Sequence, residues 1–237
     1  REVKGRDRGS GAAGGTGSGR WWGWGGQNGM RGEQRGGGAG LQTARLLKEL
    51  AEQARTMALD MEFGFLRNRE RGLLSIGYVV NDGVLDDNCY DLLASEARLA
   101  SFFAIAKGDV PARDWFRLGR PVAAVARGEA LVSWSGSMFD YLMPSLVMAA
   151  PFDSLLEGTS RQIVRRQIEY GQARETPWGI SESAYNARDL DYNYQYSNFG
   201  VPGLGMKRGL AQNLVIAPYA TALADMVNAR KAVANFA

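Results

Sequence analysis

Sixteen of the 31 glycines in this chain fall within its first 40 residues, and that imbalance divides the sequence before any other feature does. Glycine loses more conformational freedom on ordering than any other residue. The stretch "RWWGWGG" supplies three tryptophans, but the segment around it holds too little apolar surface to offset the ordering entropy. Residues 1–40 are therefore expected to form a disordered, low-complexity Gly/Arg-rich head, either a linker or an artefact of translation. Folding is expected to start at Leu41 and to occupy residues 41–237.

Charge follows the same division. The head holds seven Lys/Arg and three Asp/Glu, a net +4, against +3 for the whole chain. The body therefore sums to −1, and the basic character of the chain belongs to its head. A nucleic-acid partner is not expected, because no "RGG" repeat is sustained and nothing downstream resembles an RNA-binding module. "GSGAAGGTGSG" follows no strand and lacks the Gly-Lys-Ser/Thr ending of a phosphate loop. The chain contains no histidine and one cysteine, Cys89. This removes His-based triads, leaves Ser133, Ser135 and Ser137 without a histidine base, and excludes an intrachain disulfide. No metal site and no cofactor are expected. No apolar run approaches the roughly 20 residues that span a bilayer, so direct membrane insertion by this segment is not expected.

The body reads mainly as helix. Leu47, Leu50, Ala51, Ala54, Met57 and Ala58 recur at helical spacing, which predicts an amphipathic helix ending near Asp60. Asn81-Asp82-Gly83 between two apolar runs predicts a short β-hairpin. A second helix is expected from about Tyr90 to Ala106, with Leu92, Leu93, Leu99, Ala100 and Phe103 on its inner stripe. "SGSMFDYLMPSLVM" predicts a helix carrying Phe139, Leu142, Leu146 and Val147, with Pro144 in its first turn or at a kink. Another helix should span about Ser154 to Tyr170, with Leu156, Ile163, Val164, Gln167 and Ile168 inward and Gly171 as its stop. Pro218 opens a last helix, to about Asn235. Between the last two lie long loops rich in aromatic residues and glycine, "RETPWGISESAYNARD" and "YNYQYSNFGVPGLG". Long ordered loops on a helical scaffold commonly carry function.

Two acids stand out against this background. Glu96 falls on the apolar stripe of the expected second helix, where a carboxylate is costly unless paired, hydrogen-bonded or lining a cavity; pairing with Arg98 is one such resolution. Glu182 stands between two serines in "WGISESAYN", with no basic neighbour. Glycoside hydrolysis needs such a pair, a protonated carboxyl for the leaving oxygen and an ionised carboxylate opposite it. Trp178, Tyr185, Tyr192, Tyr194 and Tyr196 are candidate stacking surfaces for sugar rings. Asn186, Asn193, Gln195 and Asn198 are candidate hydrogen-bonding partners for sugar hydroxyls. Asp140 is a third acid, otherwise an ordinary first-turn helix residue. Arg161, Arg165 and Arg166 read as a solvated helix face.

"MEFGFLRNRERGLLSIGY", "YDLLASEARLASFFAIAKGDVPARDWFRLGRP", "LVSWSGSMFDYLMPSLVM", "RRQIEYG" and "PWGISESAYNARDLDYNYQYSNFGVPGLGMKRGL" resemble the glycoamylase-like domain of bacterial cyclic β-1,2-glucan synthases, over about residues 57–237. The resemblance implies the N-terminal part of an (α/α)₆ toroid whose later helices lie beyond Ala237, and hence a piece that is poorly stable and inactive by itself. It implies linear β-1,2-glucan as substrate and retaining transglycosylation that closes a ring. It also implies the rest of a multidomain synthase as partner, at the cytoplasmic side of the inner membrane. Glu182 is then the general acid/base and Glu96 the nucleophile. Where the family pattern has glutamate, this chain has Asp140, one methylene shorter. The alternatives are an inverting β-1,2-glucan hydrolase and a non-catalytic glucan-binding or scaffolding part of the same synthase.

Overall fold

The computed structural model describes residues 37–125 and 127–237; most of the expected disordered head lies outside them. The chain divides into two units, the first ending at Gln53 and the second running Ala54–Ala237. A helix, α1, spans Gly37–Asp60. It ends where the sequence pattern ends, but begins inside the stretch read as low complexity. Its stripe residues Leu47, Leu50 and Met57 are all exposed.

The second unit mixes helices with four separate antiparallel strand pairs. The single hairpin expected from sequence is one of the four, and no barrel closes among the described residues. Strands β1 (Arg67–Asn68) and β2 (Leu73–Leu74) pair first, then β3 (Tyr78–Val79) and β4 (Val84–Leu85), with Asn81-Asp82-Gly83 at the turn. Gly83 has φ +66° there, a backbone conformation glycine adopts without a Cβ penalty. Helix α2 covers Arg98–Lys107, and a longer pair joins β5 (Val122–Val125) to β6 (Gly128–Leu131).

Helix α3 (Met138–Leu142) is followed by one 3₁₀ turn at Met143–Leu146, because Pro144 lacks the N–H needed to continue α-helical bonding. Leu146 and Val147, expected on an apolar helix face, are exposed. Helix α4 (Leu155–Ala173) is capped by Ser154, whose hydroxyl accepts from the Glu157 N–H. Ile163, Val164 and Gln167 are buried, as their spacing predicts. Gly171 does not stop this helix. It lies inside, where an added Cβ would come within 2.9 Å of the Trp178 Cβ. Strands β7 (Ser183–Arg188) and β8 (Tyr194–Ser197) pair across the aromatic loop, and α5 (Pro218–Phe236) closes the chain with an extended residue, Asn228, inside it. No helix among the described residues is long and apolar enough to cross a membrane.

The larger core packs Leu131, Met138, Leu142, Ile163, Ile180 and Leu204, all at most 1% exposed, around α3, α4 and the start of α5. A buried glutamine fixes one edge of this core. The Gln167 amide donates to the Ile180 carbonyl (2.8 Å) and accepts from the N–H groups of Gly179 and Ile180. Both ends of the amide are thereby hydrogen-bonded, which is what makes its burial tolerable, and the segment leading to Glu182 is held in place.

The expected helix from Tyr90 is shorter than its periodicity implied. Residues 91–93 instead exchange backbone hydrogen bonds with Gly119: Leu93 N–H donates to Gly119 O (2.9 Å) and Gly119 N–H to Asp91 O (2.6 Å). That pairing uses backbone groups a helix would need, so α2 starts only at Arg98. Its buried residues are Arg98, Ser101 and Ala104, and Leu99, Ala100 and Phe103 are half-buried.

Candidate active site

Glu96 therefore sits not on an inner helical stripe but in the turn just before α2. There it lines a cavity of about 460 Å³ together with Ser135, Asp140, Trp134, Tyr90 and Asn198. The Ser95 hydroxyl donates to Glu96 Oε2 (3.2 Å). The pairing with Arg98 considered from sequence does not form, since that guanidinium donates to backbone carbonyls.

Asp140 reaches the same cavity from α3. Ser137 caps this helix, its hydroxyl accepting from the Asp140 N–H. The buried Asp140 carboxylate accepts from the Ser135 hydroxyl at 2.7 Å and from the Ser135 N–H at 3.3 Å. Ser133 supports the same loop by accepting from the Gly136 N–H (2.8 Å). The three serines build the acid's cradle rather than carrying nucleophilic chemistry. "GVPGLG", which reads as a plain loop, completes the cradle from behind. An added Cβ at Gly200 would lie 1.9 Å from the Ser135 carbonyl oxygen, so only glycine permits this approach.

Glu182 arrives on the other side, just before β7. Backbone and side-chain bonds join its segment to α3: Met138 N–H to Ile180 O (3.3 Å) and Phe139 N–H to Ser181 Oγ (3.0 Å). The Tyr219 hydroxyl donates to the Glu182 carbonyl (2.8 Å). The Glu182 carboxylate accepts from the Asn198 amide (3.5 Å) and is hydrogen-bonded by Tyr196. Asn198 lines the cavity, and so connects Glu182 to its wall.

The three acids act on one another electrostatically although 86 residues separate Glu96 from Glu182 (182 − 96). Glu96 titrates above the ordinary carboxylate value of 4.5, mainly because burial disfavours its charge; the nearby Asp140 charge adds to this, while Ser95 and Arg98 oppose it. Glu182 is also raised, first by burial and further by the charges of Asp140 and Glu96, against the Tyr196 hydrogen bond. Among the described residues no three His, Cys, Asp or Glu side chains are grouped as metal ligands would be.

The other sequence-derived candidates divide. Tyr196 and Asn198 stand at Glu182. Tyr194 is exposed on β8, with the Arg188 guanidinium 4.4 Å from its ring centre. Asn186 is exposed on β7, within the stretch where its register shifts. Tyr185 packs edge-on against Phe199, ring centres 5.2 Å apart. Trp178 is buried in the main core, at 6% exposure, and a covered indole offers no face to a sugar. Reading it as a stacking surface overlooked the depth of the Gly171 contact. The cavity has a different tryptophan on its wall. Trp134 is 63% exposed beside Ser135, and the signal for it was its place between serines immediately before the Asp140 helix.

A recess of this size, walled by carboxylates, hydroxyls and an open indole, has the chemistry of a site for a polyhydroxylated ligand. Residues 88–236, more than half of the chain, match the family model for glycoamylase, described as putative glucoamylase. The chain belongs to that family. It is also 58% identical over 188 residues to the cyclic beta-(1,2)-glucan synthase NdvB of Rhizobium meliloti (strain 1021). That match covers 79% of this chain and 7% of the relative, so the chain spans a small part of the relative's length.

Proposed function

We propose that residues 41–237 form a carbohydrate-active domain that acts on linear β-1,2-glucan by retaining transglycosylation, closing a ring. The observation that carries this reading is the pair of half-buried glutamates on separate elements, Glu96 lining the cavity and Glu182 joined to its wall through Asn198, both raised in pKa, with an exposed tryptophan on that wall. The similarity to a cyclic glucan synthase supplies the substrate class.

In this reading protonated Glu182 donates to the leaving glycosidic oxygen while ionised Glu96 attacks the anomeric carbon. The C–O bond of the linkage breaks, and a glycosyl ester on Glu96 forms. Deprotonated Glu182 then takes the proton of a sugar hydroxyl, which attacks the same carbon and releases Glu96, giving net retention. Burial and the Asp140 charge favour the proton on Glu182 for the first step. Trp134 stacks a glucosyl ring, and Tyr196 and Asn198 orient Glu182. The helices are part of an (α/α)₆ toroid, and the partner is the remainder of a larger synthase, with the domain on the cytoplasmic side of the inner membrane.

The deciding experiment is turnover of linear β-1,2-glucan by the protein within the larger synthase, with and without Glu182→Gln, and with product anomers followed by NMR. Retention, and a loss of about 10³-fold in Glu182→Gln with glucan binding intact, is the expected outcome. Unchanged turnover in that variant removes Glu182 from the chemistry. Inverted products make the domain a hydrolase of the other geometry. Glucan binding without any turnover makes it a scaffold.

A further inference from the structure

We propose that Arg98 is the positioning residue of this cleft: its buried guanidinium fastens the segment carrying Asp140 to the turn carrying Glu96, and is the counter-charge of the acids. The inference rests on the catalytic roles given above to Glu96 and Glu182.

Arg98 opens α2 and is 3% exposed. Nη1 donates to the carbonyls of Ser95 and Asp140, both at 3.0 Å, and Nη2 to that of Tyr141 at 2.8 Å. One planar group thus holds the Ser95–Glu96 turn and the body of α3 in a single geometry. A lysine ammonium, a point donor on a flexible stem, does not reproduce that fork. Carbonyls take bonds from Nη1 and Nη2 but bring no net charge, the buried Nε has no hydrogen-bond partner, and Arg98 forms no direct ion pair among the described residues. A buried cation left uncompensated costs several kcal/mol. The charges that face it are those of Glu96 and Asp140.

Burial pulls the Arg98 pKa down to about 10, against those two carboxylates, which leaves the group charged at neutral pH. Its effect on Glu96 is to lower a pKa that burial and Asp140 raise. The remaining titratable groups around the cleft do not replace it. Cys89, Tyr90 and Asp91 on the cavity wall, and Glu182, Tyr196 and Tyr219 on the opposite elements, are acids, and the Lys207 ammonium donates to the Asn198 carbonyl. Tyr141 is held neutral by burial, its hydroxyl directed to the carbonyls of Leu131 and Leu204. Arg98 is the cation that offsets Asp140 at the nucleophile.

The test compares Arg98→Met and Arg98→Lys with the unaltered protein by thermal melting, by the pH dependence of turnover on linear β-1,2-glucan, and by ¹³C-carboxyl NMR titration of Glu96, assigned from the signal lost in Glu96→Gln. In Arg98→Met, Glu96 is expected to titrate at higher pH, the acid limb of the rate profile to move the same way, and kcat at neutral pH to fall roughly 100-fold. In Arg98→Lys the acid limb stays in place while kcat falls roughly 10-fold at unchanged KM, the loss of geometry alone. An unmoved Glu96 titration in folded Arg98→Met overturns the proposal. If Arg98→Met does not fold, an Arg98→Lys protein with unaltered kcat overturns it. If the unaltered protein turns over no β-1,2-glucan, the functional reading fails, and the NMR titration still decides whether Arg98 serves Glu96.

Discussion

The two sides of the cleft are built differently. The Glu96–Asp140 side is interior: Asp140 and Arg98 are buried, a serine hydroxyl and backbone carbonyls meet their side chains at 2.7–3.0 Å, and Gly200 backs the loop. The Glu182 side is a two-stranded hairpin whose Tyr192, Tyr194 and Tyr196 are 56–78% exposed. The first arrangement fixes Asp140 by hydrogen bonds and seats Glu96, whose charge burial disfavours. The second leaves rings and amides free to meet a ligand. The difference separates a wall held by buried hydrogen bonds from one built on exposed rings.

Breaking the rigid wall gives the largest stability effect expected. Gly200→Ala drives a Cβ into the Ser135 carbonyl and is predicted to destabilise by about 3 kcal/mol or more, seen as a large drop in melting temperature. A comparable substitution on the hairpin, Asn186→Ala, changes melting little, within about 0.5 kcal/mol.

The protonation role is sharpened by Asp140→Asn. The amide still accepts from Ser135, but the charge that raises both glutamates is gone. Both limbs of the pH–rate profile are expected to move to lower pH, with turnover at neutral pH falling roughly 10-fold because Glu182 is less often protonated. A profile unmoved on either limb breaks the electrostatic link between the acids.

Substrate contact is tested by Trp134→Ala, predicted to weaken glucan binding about 5- to 10-fold by calorimetry, near 1 kcal/mol of lost ring stacking, with melting unchanged. Trp178→Ala acts in the opposite manner, lowering melting through the core.

The smallest effect reads the burial of Glu96 through stability. The folded-state pKa of Glu96 lies above 4.5, so the folded protein binds that proton more tightly than the unfolded chain. The stability this provides is complete below pH 4.5 and is lost as pH rises through the folded-state value. Glu96→Gln is therefore expected to raise the melting temperature slightly at pH 7–8 and to give no gain at pH 4.

Periodicity read parts of this molecule well. α4 and α5 begin at a capping serine and at a proline, because caps act within one turn and need no distant partner. The β3–β4 hairpin follows from Asn81-Asp82-Gly83 for the same reason. Reading failed where a distant segment competed. Gly119 takes the backbone groups that a helix from Tyr90 would have used, and moves Glu96 from a stripe to a turn. Trp178 is drawn into the core by a glycine seven residues earlier. Gly200 and Gly205 look like loop filler until the Ser135–Gly136 backbone lies against them.

The sequence by itself determined the residue types of the site, two glutamates and an aspartate among serines and aromatic rings with no histidine to replace them, and the local starts and stops of the helices. Only the tertiary structure decided which of those groups share a cleft, which tryptophan faces it, and that a buried arginine stands behind the acids. Side-chain chemistry is encoded residue by residue, whereas desolvation and charge coupling depend on what segments far apart in the chain bring to the same place.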